Sequence, residues 1–205
     1  MATSSRTRIR STRGIAKGAT ETDDAVEPAV WQLKITLRDV KPPVWRRIQV
    51  PASITLAKLH LVVQAAMGWE NYHLYSFSAG GTKYGEPDPE LQLRSARSAR
   101  LNAVAPGPRA KLQYTYDFGD SWEHDIVVEK ALASEPGVHY PMCVAAKRAC
   151  PPEDCGGAWG YEELLDILGD PEHEEYEERL EWAGGTFDPE AFDLDAANAA
   201  LRRLR

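Results

Sequence analysis

The stretch YTYDFGDSWEHDI, residues 114–126, gathers Asp117, Asp120, Glu123 and Asp125 around Gly119, with Trp122 and His124 between them. Carboxylates at this density can hold a hard divalent cation, because Mg²⁺ takes as few as one or two protein carboxylates and completes its shell with water. Asp117, Asp120 and Glu123 are the ligands such a site would use. A second constellation lies downstream: Cys143, Cys150 and Cys155, spaced Cys-x6-Cys-x4-Cys in CVAAKRACPPEDCGG. As thiolates these three could bind zinc, with His139, His124 or water as the fourth ligand; the alternative is a tight loop carrying small buried thiols. Cys155 also precedes GGAWGYEELL, a helix start whose field favours a thiolate, although no histidine base stands near it in sequence. Mg²⁺ or Zn²⁺ is therefore the cofactor these residues suggest.

The acidic stretch must be positioned by a hairpin. Leu112, Tyr114, Tyr116 and Phe118 alternate on one arm, and Trp122, His124, Ile126 and Val128 on the other. Both apolar faces lie on one side only if the loop holds an odd number of residues. A three-residue loop Gly119-Asp120-Ser121 predicts the pairs Phe118 with Trp122, Tyr116 with His124, Tyr114 with Ile126 and Leu112 with Val128. The same register sets Asp117 across from Glu123 on the opposite face, a repulsion that solvent, Arg46 or Arg47, a basic partner or a cation would have to offset. His124 falls on the apolar face, away from the carboxylates, which weakens any mixed Asp/His catalysis.

Around the hairpin, WQLKITL and VWRRIQV read as strands, and Leu56, Leu59, Val63 and Met67 recur at helical spacing before Gly68. His60 shares that helix face and reads as a hydrogen-bonded histidine at the core edge. YHLYSFSAGGTKYGE predicts a second hairpin about Gly80-Gly81. Residues 85–110 read as a long connection with one short strand near Leu101, carrying Arg94, Arg97, Arg100 and Arg109. Helices are expected over 161–168, 172–182 and from 194 to the C-terminus, with Asp170-Pro171 and Asp188-Pro189 as start signals. The order predicts an α+β domain: a mainly antiparallel sheet, an amphipathic helix after the first strands, and a C-terminal helical region packed on it.

The 205 residues, 43% hydrophobic, suffice for a sizeable core. No apolar run approaches the length of a membrane span, and no secretory signal opens the chain, so a cytoplasmic address without a membrane is expected. Removing the five positive charges of residues 1–20 from the net charge of −7 leaves −12 for the rest. Residues 1–29 are expected to be a disordered basic arm, and 30–205 a single domain. An acidic body repels phosphate, so nucleic acid is possible as a partner only through the arm or a local patch, whereas a protein partner could dock on the acidic helices. Phosphate-cradling glycine loops, nucleophile elbows and HExxH are absent from the sequence.

YTYDFGDSWEHDIVVEK, CPPEDCGGAWGYEELL and AGGTFDPEAFDLDAANAAL, preceded by VWRRIQVPASITLAKLHLVVQAAMGWENYHLYSF, resemble the plasmid pRiA4b ORF-3-like family. The resemblance runs from about Val30 to the C-terminus and implies an α+β fold and occurrence on plasmids and other mobile elements, sometimes as a passenger protein of resolvase type. It implies no particular activity, and the arginine-flanked serine and helix-turn-helix of a serine recombinase are not found in this chain. Three functions remain in view: a non-enzymatic binding or accessory module, a divalent-metal-dependent enzyme acting on phosphodiesters through Asp117, Asp120 and Glu123, and a DNA-associated protein using the basic arm.

Overall fold

A computed structural model of the chain describes residues 30–204 and Met1; the basic arm expected over 1–29 lies outside the described residues. In β1 (Val30–Leu37) the alternating Trp31, Leu33, Ile35 and Leu37 are all buried, and the strand pairs antiparallel with β2 (Trp45–Pro51). Each such side chain contributes roughly 1.5–3 kcal/mol by leaving water. Helix α1 (Leu56–Met67) starts where the Thr55 hydroxyl accepts the Lys58 N–H and stops at Gly68, whose φ of 94° is the left-handed conformation a helix end favours. The predicted stripe of Leu56, Leu59, Val63 and Met67 is buried.

Strands β3 (Tyr75–Ala79) and β4 (Thr82–Gly85) turn through Gly80-Gly81, both with positive φ as a two-residue hairpin loop requires. A two-residue β5 (Arg94–Ser95) runs parallel to β4, then α2 (Leu101–Val104) leads to β6 (Lys111–Tyr116) and β7 (Trp122–Leu132). β8 (Met142–Lys147) and helices α3 (Gly157–Leu168), α4 (Tyr176–Trp182) and α5 (Leu194–Arg203) complete the described chain. The strands form one sheet in the order β5-β4-β3-β6-β7-β1-β2-β8, antiparallel except at β4–β5. This is the expected α+β architecture. Helix α1 crosses one sheet face, where Gln64 donates to the Tyr114 hydroxyl of β6 and Arg46 of β2 donates to the Ala66 carbonyl. Helix α5 packs against α1 and β8, and its Leu201 joins the same core as Tyr161 and Leu164 of α3.

Several expectations change. The main hairpin keeps its predicted faces but slips by two residues: Tyr116 pairs with Trp122, Tyr114 with His124 and Leu112 with Ile126, around a five-residue loop 117–121. Phe118 is thereby ejected from the ladder and stands 42% exposed, while Thr115, not Asp117, faces Glu123. The expected carboxylate repulsion across the strands does not arise. Leu101 begins a short helix rather than a strand, and the second hairpin starts at Tyr75, leaving Tyr72, His73 and Leu74 in a loop. Part of the cysteine segment is the edge strand β8. Asp170 and Asp188 do not start helices; their carboxylates accept the N–H two residues on, as Asx turns, and α5 begins instead at the Asp193 cap. Glu123 is neutralised by Arg38, not by Arg46 or Arg47. Arg46 is buried against the Ala66, Trp45 and Lys147 carbonyls and over the Phe192 ring, and Arg47 forks onto Glu129 on the opposite sheet face.

Candidate functional site

Three loops meet at one end of the sheet: 69–74 after α1, the hairpin tip 117–121, and 150–156 before α3. Trp69 fastens the first to the third by donating its indole N–H to the Pro151 carbonyl at 3.0 Å, while its ring stacks on Tyr116 and meets His124 edge-on. The Tyr116 hydroxyl accepts the Tyr72 N–H at 3.0 Å and donates to Glu153, whose other oxygen accepts the Glu70 N–H at 2.9 Å. Asp120 accepts the Gly156 N–H at 3.1 Å. Gly157, at φ 69°, packs so closely that an added Cβ would lie 2.5 Å from the Asp120 carbonyl oxygen. Asn71, Asp117, Ser121 and Asp154 all hold left-handed backbone conformations, which Asn and Asp tolerate better than most residues.

This junction brings together side chains remote in sequence. His73 Nε2 lies 3.0 Å from Asp154 Oδ1 and 3.6 Å from Asp117 Oδ2. Asp117 is buried, with its Oδ1 accepting the Gly119 N–H at 2.9 Å, so its second oxygen is the one turned to His73. The His73 nitrogen is enclosed yet makes no hydrogen bond: the carboxylates are near it, but off the line of an N–H donor. Among the described residues these three form the cluster of His, Cys, Asp or Glu side chains whose ligand atoms converge, within 4.8 Å of one another.

The two buried histidines, His60 and His124, are arranged differently. Tyr114 Oη accepts from Gln64 and so donates its own proton to His60 Nδ1 at 2.7 Å, which leaves His60 Nε2–H to donate to Asn71 Oδ1 at 2.5 Å. That fixes His60 as a neutral tautomer, stacked on Tyr75 at 3.6 Å. His124 donates Nδ1–H to the Trp122 carbonyl at 3.0 Å. Burial pushes both imidazoles down to about 4. Burial likewise raises the Tyr114 hydroxyl well above its ordinary range.

Beside the junction opens a cleft of about 510 Å³ between α1, the 71–75 segment and the 86–93 loop, with His60 and Asn71 among its lining. Leu61, Leu74, Leu91 and Phe118 line it as exposed apolar side chains. Arg97 is engaged there by Glu86 at 3.1 Å, and Arg100 donates to the Ser53 carbonyl, so the arginines of 94–109 are not pooled as one phosphate-steering patch.

Of the carboxylates singled out in the sequence, only Asp117 enters the convergent cluster. Asp120 is engaged by Gly156, and Glu123 by Arg38 on the far side of the strand pairing. Cys143 sits in β8, where α5 clamps its backbone through both amide atoms of Asn198, and Cys150 and Cys155 pack against the core. All three thiols are free, and burial pushes Cys150 and Cys155 up to about 12, the reverse of a reactive thiolate. His73 and Asp154 were missed from sequence; the available signal was a polar loop directly after the Gly68 helix stop and the acidic pair Glu153-Asp154 between two cysteines.

The sheet, its covering helix and this three-loop end define an α+β protein whose convergent ligand-type side chains collect at one rim rather than in the sheet. The chain belongs to the plasmid pRiA4b ORF-3-like family, which matches residues 29–196. It is 43% identical over 180 residues to the uncharacterized protein y4hQ of Sinorhizobium fredii, covering 86% of this chain and 92% of that protein. It is also similar to a crystal structure of a protein of unknown function, MM3350 from Methanosarcina mazei Go1, with a TM-score of 0.75 at 44% identity, covering 81% of this chain and 96% of that one. Among the described residues no helix is long and apolar enough to cross a membrane.

Proposed function

We propose that the protein is a non-enzymatic binding module, an accessory factor of plasmid or mobile-element genes, working in the cytoplasm, where free thiols are kept reduced. The observation that carries this reading is the cleft whose mouth holds Leu61, Leu74, Leu91 and Phe118 in the open. Scattered single apolar residues are ordinary on a surface, but four around one concavity are the composition of a docking site. The occupant that fits is an extended segment of a protein partner, placing an apolar side chain in the cleft and basic residues beside Asp88 and the acidic junction. The balance of −8 over residues 30–205, outside the arm, favours basic partners over nucleic acid. Engagement of Asp120 and Glu123 in structural contacts supports this reading over a phosphodiesterase built on them.

Selection from a random displayed-peptide library tests it. Peptides enriched on the full chain should carry an apolar and a basic residue and lose at least about tenfold in affinity with Leu74→Asp or Leu91→Asp, a change of about 1.4 kcal/mol or more. No enrichment, or binding indifferent to both substitutions, contradicts the cleft. A second surface is favoured by Trp159, which stands 87% exposed beside Glu162 and Glu163 on α3. Loss of peptide binding in Trp159→Ala, with Leu74→Asp unaffected, would move recognition to the acidic helices.

A further inference from the structure

The His73, Asp117 and Asp154 cluster can be argued further, independently of what the cleft accepts. An aspartate pair beside a histidine has two simple forms: an ion pair on a protonated imidazole, or a cation shared by all three. The first requires an N–H directed at a carboxylate oxygen. His73 Nε2, although 3.0 Å from Asp154, makes no such bond and is closed off from water. The second requires ligand atoms at the spacing a metal imposes. Two donors at about 2.0–2.1 Å from a tetrahedral zinc stand roughly 3.3 Å apart. The observed separations of 3.0 Å and 3.6 Å bracket that value. Asp117 is also supported as a ligand should be, one oxygen held by the Gly119 N–H and the other presented to the cluster.

We infer that His73 Nε2, Asp117 Oδ2 and Asp154 Oδ1 bind a divalent first-row cation. One imidazole and two carboxylates suit zinc or manganese better than magnesium, which prefers oxygen and its own water. The cation offsets the negative charge that Asp117 and Asp154 bring to the loop end beside Glu153. It also ties together all three loops, since its ligands come one from each.

Calorimetric titration of the chelator-treated full chain with Zn²⁺ and with Mn²⁺ tests this. One saturable equivalent is expected, accompanied by a rise in melting temperature. Asp154→Asn, at a side chain 66% exposed whose left-handed backbone Asn also tolerates, should weaken binding by more than about tenfold, and so should His73→Gln. Glu123→Gln and Cys155→Ser should leave affinity unchanged. Absence of a saturable site, affinity unaltered in both ligand variants, or loss of binding in Cys155→Ser would overturn the assignment. Peptide selection under chelator separates this site from the cleft, because binding there can persist with the metal removed.

Discussion

The core histidines His60 and His124 and the loop histidine His73 lie within one connected aromatic cluster, yet their surroundings differ in kind. His60 has both ring nitrogens matched to neutral partners, and His124 sits between aromatic rings with Nδ1–H bonded to a carbonyl. His73 Nε2 and His124 Nε2 both lack a hydrogen-bond partner, but that of His124 is sealed among aromatic rings, whereas that of His73 faces two carboxylates on separate loops. Matched partners make a histidine part of the packing; an unmatched one beside anions is available to something from outside. The contrast teaches that what faces a histidine nitrogen, aromatic rings at His124 and carboxylates at His73, separates structure from function here, rather than residue type.

Acidification should show the largest effect. Both core imidazoles have folded values near 4 against about 6.5 unfolded, so the unfolded chain takes up protons first. Stability is fully present above about pH 6.5, falls between about 6.5 and 4, and each histidine contributes a loss of a few kcal/mol. In denaturant melts, the stability gap between wild type and His124→Gln should therefore shrink by roughly 3 kcal/mol from pH 7 to pH 4; a constant gap would mean that His124 is not buried neutral. Next is Trp69→Ala, which removes the ring bridging core and junction and should cost about 3–5 kcal/mol while freeing the 69–74 loop to exchange amide hydrogens. Global loss without local loosening would break the link between the two regions. Gly157→Ala confronts the Asp120 carbonyl and a left-handed backbone, so about 2–4 kcal/mol is expected, with the hairpin tip displaced. Glu123→Gln should cost under about 1 kcal/mol, because its pair with Arg38 is substantially exposed.

Much of the core was legible from periodicity. Trp31 to Leu37, the Leu56 to Met67 stripe, and the inward faces of both hairpin arms follow from spacing, because burial selects one face of each element. Parity fixed which side His124 takes, but it cannot distinguish a three-residue loop from a five-residue one. That choice is made by Asp117 and Ser121 adopting left-handed conformations, so that Phe118 leaves the ladder and Asp117 turns toward His73. The cluster itself was illegible for the same reason: its members sit on three loops joined only through Trp69, Tyr116 and Glu153, contacts that no local pattern encodes. The cysteines drew attention by type, yet their surroundings bury them.

Nitrogen NMR of the imidazole rings during a Zn²⁺ titration tests the contrast most directly. The account predicts that the His73 ring nitrogens shift and saturate with one equivalent, while those of His60 and His124 keep the neutral tautomers fixed by Tyr114, Asn71 and the Trp122 carbonyl. A His73 resonance that never responds, or a response centred on His60 or His124, would contradict it.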